Sequence, residues 1–466
     1  MYFQHVYDKT LAQASYFIGC QKAGVAAVID PKRDVDTYLD IARQNGMRIT
    51  HVMETHIHAD FLSGARELAA LTGAAMYLSD EGGPDWQYAF DHVGLRDGDT
   101  LRVGNLTFEV LHTPGHTPES ISFLLTDNPA SPEPVMLFTG DFVFVGDIGR
   151  PDLLEKAAGL IGTQDAGAHA MYRSIARFAA LPDHIQVWPG HGAGSACGKA
   201  LGAVPSSTVG YEKIRNWAFR FADDETGFVN FLLEDQPEPP RYFAMMKTLN
   251  KVDRALLTAV PALRRLTADE VRTAMADGTP LLDTRTKAAF AQGHIPGSLN
   301  IQGNNSFATW AGWYLGYDKP FILLADPSTH DDLTRKLMRI GLDNILGYLP
   351  STDDFTTSGG TLSTVDVIDA EEVRQRLGQP DVQVVDLRGA TEYRSGHIPG
   401  ADHVFVGTLP QHLDKVRRDG QVVVLCQGGD RATIGWSILA RAGYRNLLNY
   451  AGSMNDWLGK GYPVES

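Results

Sequence analysis

His56 and His58 stand two residues apart in Glu54-Thr-His-Ile-His-Ala-Asp60-Phe61, directly after the apolar run Ile49–Met53. Two imidazoles on a turn just past a strand can converge on one ion. Neutral imidazole with carboxylate is a standard ligand set for zinc and iron. More candidates follow in the same setting. His116 sits in Thr113-Pro-Gly-His-Thr117 after the run Phe108–Leu111, and Asp141 in Thr139-Gly-Asp141 after Val135–Phe138. His191 sits in Trp188-Pro-Gly-His-Gly192 after Ile185–Trp188. In α/β folds, loops at strand C-terminal ends gather on one side of the sheet, where ligands bind. A single loop histidine is usually structural or solvated. An H-x-H-x-D followed by P-G-H, G-D and P-G-H, each after a strand, is too ordered a series for that.

A second chemistry is carried by sulfur. The apolar run Val422–Leu425 leads straight into Cys426-Gln-Gly-Gly-Asp-Arg431 and then a helical stretch, Ala432–Ala442. A cysteine between a strand end and a helix N-terminus meets free backbone N–H groups and the positive end of the helix dipole. Arg431 adds a full positive charge. These features favour thiolate, so Cys426 is expected to be a nucleophile. The other two cysteines are Cys20, after Tyr16–Ile18, and Cys197, six residues past His191. Cys20 reads as core. Cys197 reads either as an inert buried thiol or as a transient sulfur relay beside the histidines. Three cysteines do not make a disulfide framework, so a reducing, cytoplasmic setting is expected.

The elements that must position these residues are short. In the first half, Val25–Ile29 and the runs named above alternate with helical stretches. Val35–Gly46 has Asp34 placed as its cap, and Ser63–Thr72 closes at Gly73. Asp235-Gln-Pro-Glu-Pro-Pro240 cannot be a helix interior or a central strand, so a first boundary falls between about 240 and 263. Ser351–Ser363 reads STDDFTTSGGTLS, polar and glycine-rich, and is expected to be a linker.

The segments flanking that linker repeat one another. Leu282-Asp-Thr-Arg285 and Gly293-His-Ile-Pro-Gly297 recur as Val385-Asp-Leu-Arg388 and Gly396-His-Ile-Pro-Gly400, at an offset of 103 from Asp283 to Asp386. Two copies of one α/β unit explain this. In the middle copy the run Phe321–Leu324 leads to Ala325, and no cysteine lies between 198 and 425. That copy has no thiol to act as a nucleophile, and a docking or spacer role is expected of it. The domains expected are therefore 1–262, 263–355 and 361–466.

Composition narrows the function classes. The chain has 466 residues, 43% apolar and 21% charged, which excludes wholesale disorder. Its 41 basic and 56 acidic residues leave a net charge of -15, against nucleic-acid binding. No run approaches 18 apolar residues and no secretory signal is visible, so no membrane role is expected.

The H-x-H-x-D, P-G-H, G-D and P-G-H series resembles the metallo-β-lactamase superfamily. That implies an αββα sandwich with a metal at its edge. The superfamily motif H-x-H-x-D-H ends here in Phe61, which cannot coordinate, so a two-metal hydrolase is disfavoured. The departure resembles the persulfide dioxygenases. The resemblance implies one Fe2+ per chain on His56, His116 and Asp141, with open positions for substrate sulfur and dioxygen. It places His58, Asp60 and His191 around the site as second-shell groups or possible ligands. Phe142–Leu153 and Thr208–Lys213 resemble further motifs of that branch. Arg150 there either anchors an anionic thiol, braces the site, or pairs with Asp147 or Asp152. Tyr211, Lys213 and Arg215 either reach the substrate tail or pack.

The pattern C-x-x-G-x-R at Cys426, with D-x-R and H-I-P-G, resembles the rhodaneses. A cysteine phosphatase needs five residues between Cys and Arg, and here there are four. The expected architecture is thus an α/β multidomain chain: a metallo-β-lactamase αββα sandwich followed by a degenerate and an active rhodanese-like α/β domain. The expected function joins a non-haem iron persulfide dioxygenase to a sulfurtransferase in sulfide oxidation and detoxification. Low-molecular-weight persulfide of the glutathione or coenzyme A type and O2 would give sulfite, then thiosulfate. Small molecules are the expected partners, with assembly as a homo-oligomer. The alternative is a zinc thioester hydrolase of the glyoxalase II kind with an attached sulfurtransferase.

Overall fold

The computed structural model describes residues 1–158, 163–199 and 201–466. It divides into two compact units. One is Met1–Val260 with Met338–Gly341, and the other is Pro261–Leu337 with Leu342–Ser466.

The first unit is built on two six-stranded sheets among the described residues. One runs, in spatial order, through Tyr2–Asp8, Gln13–Cys20, Val25–Ile29, Arg48–Met53, Ala75–Ser79 and Val93–Leu95. The other runs Ser207–Thr208, Gln186–Pro189, Met136–Gly140, Ile121–Asp127, Leu106–His112 and Thr100–Val103. Their inner faces meet in one apolar core that includes Tyr16, Ile18, Phe108, Val110, Phe123 and Phe138. Helices cover both outer faces. On the first sheet, Asp36–Gln44 buries Tyr38, Ile41 and Ala42, the one-sided spacing of an amphipathic helix. On the second, Thr163–Ala179 buries Ala168, Met171, Ile175 and Phe178. Gln13–Cys20 is covered on both faces: every residue in it is buried, Gln13 and Ser15 included.

Strand direction decides where the site falls. Leu106–His112 and Met136–Gly140 both pair antiparallel with Ile121–Asp127, and Met136–Gly140 pairs parallel with Gln186–Pro189. The ends of those three strands therefore share one edge of the sandwich. Arg48–Met53 brings the H-x-H-x-D turn from the other sheet.

One local expectation, the cap at Asp34, is corrected here, and another, the helix closing at Gly73, holds. The helix Asp36–Gln44 has Val35 at its N-cap and no side-chain cap. Asp34 is instead drawn into ion pairs with Lys32 at 3.2 Å and Arg339 at 2.5 Å. The buried charges win because a carboxylate out of water needs cations more than a helix end needs a cap. The second helix is Ala65–Thr72, ending at Gly73 in the left-handed region at φ 70°.

The second unit holds the two copies. Their sheets order as Leu299–Asn300, Leu281–Asp283, Phe321–Leu324, Ile345–Leu349, and as Asp366–Val367, Leu447–Asn449, Gln421–Leu425, Val382–Asp386, Asp402–His403. All pairs in both sheets are parallel. The repeated motifs prove structural. Arg285 folds back on Asp283 and donates to the Gly293 carbonyl at 2.8 Å; Arg388 does the same with Asp386 and Gly396, also at 2.8 Å. His294 stacks on Phe290 at 4.1 Å and His397 on Tyr393 at 3.7 Å.

The segment read as a linker is ordered. Ser351 caps a short helix, Thr352–Thr357, and Phe355 joins the core of the middle copy with Leu266, Ile322 and Leu349. Leu362, partly buried, packs against the same core, so two apolar residues sufficed where no hydrophobic period was visible. Among the described residues no helix is long and apolar enough to cross a membrane. Phe355→Ala is expected to cost about 3 kcal/mol. Limited proteolysis should then cut between Ser351 and Ser363 in the variant and spare the parent chain.

Candidate functional site

His56, His116 and Asp141 converge at the edge of the sandwich. His116 Nε2 lies 3.6 Å and His56 Nε2 3.9 Å from Asp141 Oδ2. All three side chains are buried, at 1–2% exposure. His116 Nδ1 faces the Arg150 carbonyl at 2.9 Å, which can only accept, so the proton sits on Nδ1 and the Nε2 lone pair faces inward. His56 is oriented by a relay. Asp30 accepts the Thr55 hydroxyl at 2.8 Å and the Thr55 N–H at 2.7 Å, leaving the Thr55 oxygen to accept from His56 Nδ1 at 2.9 Å. Asp30 is itself held at φ 50°, unusual for a residue with a side chain.

The result is a pocket of acceptors. His56 Nε2 and both oxygens of Asp141 have no hydrogen-bond partner. Burial, with neighbouring imidazoles adding to it, pushes His56 well below the usual histidine range; burial also lowers His116. A buried acceptor set without donors fits a bound cation, since leaving such atoms bare is costly. The residues present therefore suit a metal ion of the imidazole–carboxylate kind.

The remaining histidines divide. His58 turns away to a carboxylate pair, with Nε2 2.9 Å from Glu54 and 3.3 Å from Asp30. Burial opposes its protonation, but those two carboxylates hold it well above the usual range. Its ring is set against that carboxylate pair under the turn. Asp60 and His191 instead come together with Cys197, beside Asp141. Cys197 is buried, and burial pushes its thiol up to about 12. Cys20 is buried in the core between the sheets, as expected.

Of the three outer candidates, Arg150 touches this centre, through its main-chain carbonyl on His116. Arg150 is fully buried and forks onto Asp152 at 2.7 and 2.6 Å, the ion-pair reading of its role. Lys213 is engaged by Asp183 at 2.6 Å and the Leu181 carbonyl at 3.0 Å, and Tyr211 is exposed on the same short helix. Sequence reading missed Asn250. It reaches from the helix Phe243–Lys251 to the carbonyls of His58 and Phe61, at 2.9 and 2.8 Å, and so fixes the turn that carries Asp60.

The thiol site lies in the second unit. Cys426 follows Gln421–Leu425, and its Sγ accepts the Gly429 N–H at 3.1 Å. Gly429 sits at φ 93° at the start of the helix Asp430–Arg441, and a Cβ there would meet the Ala451 carbonyl at 2.2 Å. Arg431 is not a free charge beside the sulfur: Glu392 takes its guanidinium in a fork at 2.6 and 2.7 Å. The glutamate sits four residues past Arg388, where sequence reading assigned it no role.

The middle copy is more than a spacer. A cavity of about 380 Å3 opens over Cys426, and Gln302, Asn304, Ser306 and Trp310 of that copy line it. Lys287 pairs with Asp430 at 2.9 Å and Asn304 with the same carboxylate at 3.3 Å. The copy that lost its cysteine thus walls and clamps the loop of the copy that kept one.

A sandwich with a metal-suited edge, followed by two α/β copies, defines the class. Residues 9–191 match the metallo-beta-lactamase superfamily, and residues 267–351 and 369–460 match the rhodanese-like domain. A solved metallo-beta-lactamase from Staphylococcus aureus is 45% identical, with a TM-score of 0.68 over 75% of this chain and 98% of that one. The chain belongs to the metallo-beta-lactamase superfamily, as a sandwich fused to two rhodanese-like domains. Curated relatives diverge in activity. The mitochondrial persulfide dioxygenase of Bos taurus is 28% identical over 38% of this chain and 63% of its own length. A hydroxyacylglutathione hydrolase of Nitrosococcus oceani is 33% identical over 38% and 61%. The chain spans about three fifths of each of those two.

Opening the wall of the thiol cavity should expose the sulfur. Trp310→Ala is expected to speed alkylation of Cys426 by iodoacetamide about tenfold, read by mass spectrometry of the peptide. An unchanged rate would show that the middle copy does not control access.

Proposed function

We propose that this chain is a non-haem iron persulfide dioxygenase coupled to a sulfurtransferase. The observation that carries the reading is the two-histidine, one-carboxylate set His56, His116 and Asp141, beside a turn where Phe61 replaces the sixth motif residue. Those three would hold one Fe2+ per chain. Bound there, the ion supplies open positions for a persulfide sulfur and for dioxygen. The overall reaction is R-S-SH + O2 + H2O giving R-SH and sulfurous acid, ionised to sulfite.

The protein's own groups do the rest. The Arg150 carbonyl and the Asp30–Thr55 relay fix the imidazoles with Nε2 inward. Burial keeps both histidines neutral, the form a metal needs. In the second unit, Cys426 sulfur attacks the outer sulfur of a persulfide, forming Cys-S-SH and releasing R-S–. Sulfite then attacks that outer sulfur, giving thiosulfate and free Cys426. The Gly429 N–H is placed to stabilise the thiolate at each turn. Having both sites in one chain raises the effective concentration of sulfite near the acceptor.

A zinc thioester hydrolase with an attached sulfurtransferase is the second reading. Asp60 and His191, lying beside Asp141, favour it. Oxygen-electrode traces decide between them. The iron-loaded chain should consume oxygen with glutathione persulfide or coenzyme A persulfide, and His56→Ala should lower the rate at least a hundredfold. Hydrolysis of a glutathione thioester without oxygen uptake would move the assignment to the hydrolase. Cys426→Ser should abolish thiosulfate and spare sulfite; thiosulfate that persisted would remove Cys426 from the scheme.

A further inference from the structure

Lys247 is a buried cation without an acceptor. It lies on the helix Phe243–Lys251, at 7% exposure, with its ammonium 4.1 Å from the centre of the Trp86 ring. Among the described residues it makes no hydrogen bond and no ion pair. One turn further on, Lys251 donates to the Asp85 carbonyl at 2.8 Å. Burial pushes the Lys247 ammonium down to about 7, against the charge of Glu119, which favours the protonated form. An aromatic face holds one side of a cation but satisfies none of its three N–H donors. Leaving those donors bare out of water is costly.

The lysine stands beside the metal centre. Trp86 packs on Ile57, the residue between His56 and His58, and Tyr88 packs on the same pair. Its charge is felt at the centre: behind burial and the neighbouring imidazoles it helps lower His56, and behind burial it helps lower His116. Two more buried groups there lack a hydrogen-bond partner, Tyr88 Oη and Glu119 Oε2. Tyr88 lines a small cavity together with His56. Glu119 is held by its other oxygen, which accepts the Ile57 N–H at 2.8 Å and the Thr117 hydroxyl at 2.9 Å. The carboxylate is thus fixed to the turns that carry His56 and His116, and it offsets the ammonium without closing on it.

We propose that Lys247 receives the anionic sulfur end of the substrate at the metal centre, with the Tyr88 hydroxyl as a second donor to the same anion. The ligand class is a small anion with its charge on sulfur or on oxygens bound to sulfur, which the persulfide anion and sulfite share. Burial sets this choice. The charged groups of a thiol carrier stand many bonds from its sulfur, whereas the sulfur end is the part that must reach His56, His116 and Asp141. A fixed ammonium there is preorganised for negative charge. The identity of the anion is taken from the dioxygenase reading; the place of the lysine is not.

The test titrates sulfite, without oxygen, into the full iron-loaded chain and follows it by calorimetry. Cys426→Ser is present throughout, so the thiol site adds no heat. Lys247→Met is expected to weaken sulfite about tenfold or more with the iron content unchanged. Glu119→Gln should tighten sulfite about threefold, because the ammonium then faces no opposing carboxylate. Tyr88→Phe should weaken it about threefold, and an unchanged affinity there removes the tyrosine from the site. Sulfite bound by Lys247→Met as tightly as by the parent overturns the proposal, as does a parent chain that binds none. If Lys247→Met does not fold or loses its iron, Glu119→Gln decides, and unchanged or weaker binding in that variant overturns the proposal. Oxygen uptake is measured separately. Sulfite binding that depends on Lys247, without uptake, keeps this site and loses the dioxygenase; uptake with sulfite binding indifferent to Lys247 does the reverse.

Discussion

The first unit is organised around acceptors that have no donors. At one edge of the sandwich, imidazole lone pairs and carboxylate oxygens converge in a space closed to water. Such a cluster is unfavourable for the bare chain, and neutral imidazole or protonated carboxylate only partly relieves it. Everything around it resists the simple escape of turning outward. Asp30 sits in a strained backbone conformation to hold Thr55, Asn250 ties two carbonyls of the turn, and the Arg150 carbonyl fixes His116. The rigid sheets supply the stiffness, since each ligand-bearing loop follows directly on a strand locked between two cores. A site held in this way is preorganised for a cation, which gains affinity because little has to move on binding.

The second unit meets a different constraint with the same economy of parts. A thiol must be reachable yet backed by N–H groups, and the strand-to-helix turn at Cys426 provides this through Gly429. The arginine in the loop braces it: Glu392 takes its charge, and the Gly429 N–H and the Ser453 hydroxyl are the partners of the sulfur. The D-x-R and H-I-P-G motifs are chiefly structural, and Arg388 also reaches Gln427, next to Cys426, at 3.3 Å. In both copies they tie one strand end to the turn that follows, which is why they recur in the copy without a cysteine.

Most of the architecture could be read from the sequence because its signals were local. Strands buried on both faces announce themselves as short apolar runs, and a metal-ligand series after strand ends needs no tertiary knowledge to recognise. The 103-residue offset between Asp283 and Asp386 exposed the duplication directly. What escaped was set by distance in the chain. Asn250 acts on a turn nearly two hundred residues earlier, and Trp310 lines a cavity over Cys426. Neither has a local pattern. Asp34 illustrates the opposite failure. Its local pattern pointed to a helix cap, and a buried arginine overrode it. Ser351–Ser363 looked structureless because two isolated residues, Phe355 and Leu362, carry its packing.

Phe61 lies in a turn that is fixed from several parts of the chain. Its ring stands 4.3 Å from that of His58, whose imidazole is set against Glu54 and Asp30. Cys197, from a loop more than a hundred residues downstream, comes together with Asp60 and His191. A sequence motif records only side chains that are neighbours along the chain, and this cluster is assembled by the fold. The middle copy repeats the point for sulfur chemistry. Judged by its own loop it lacks a nucleophile, but judged by the cavity it helps enclose, it belongs to the site.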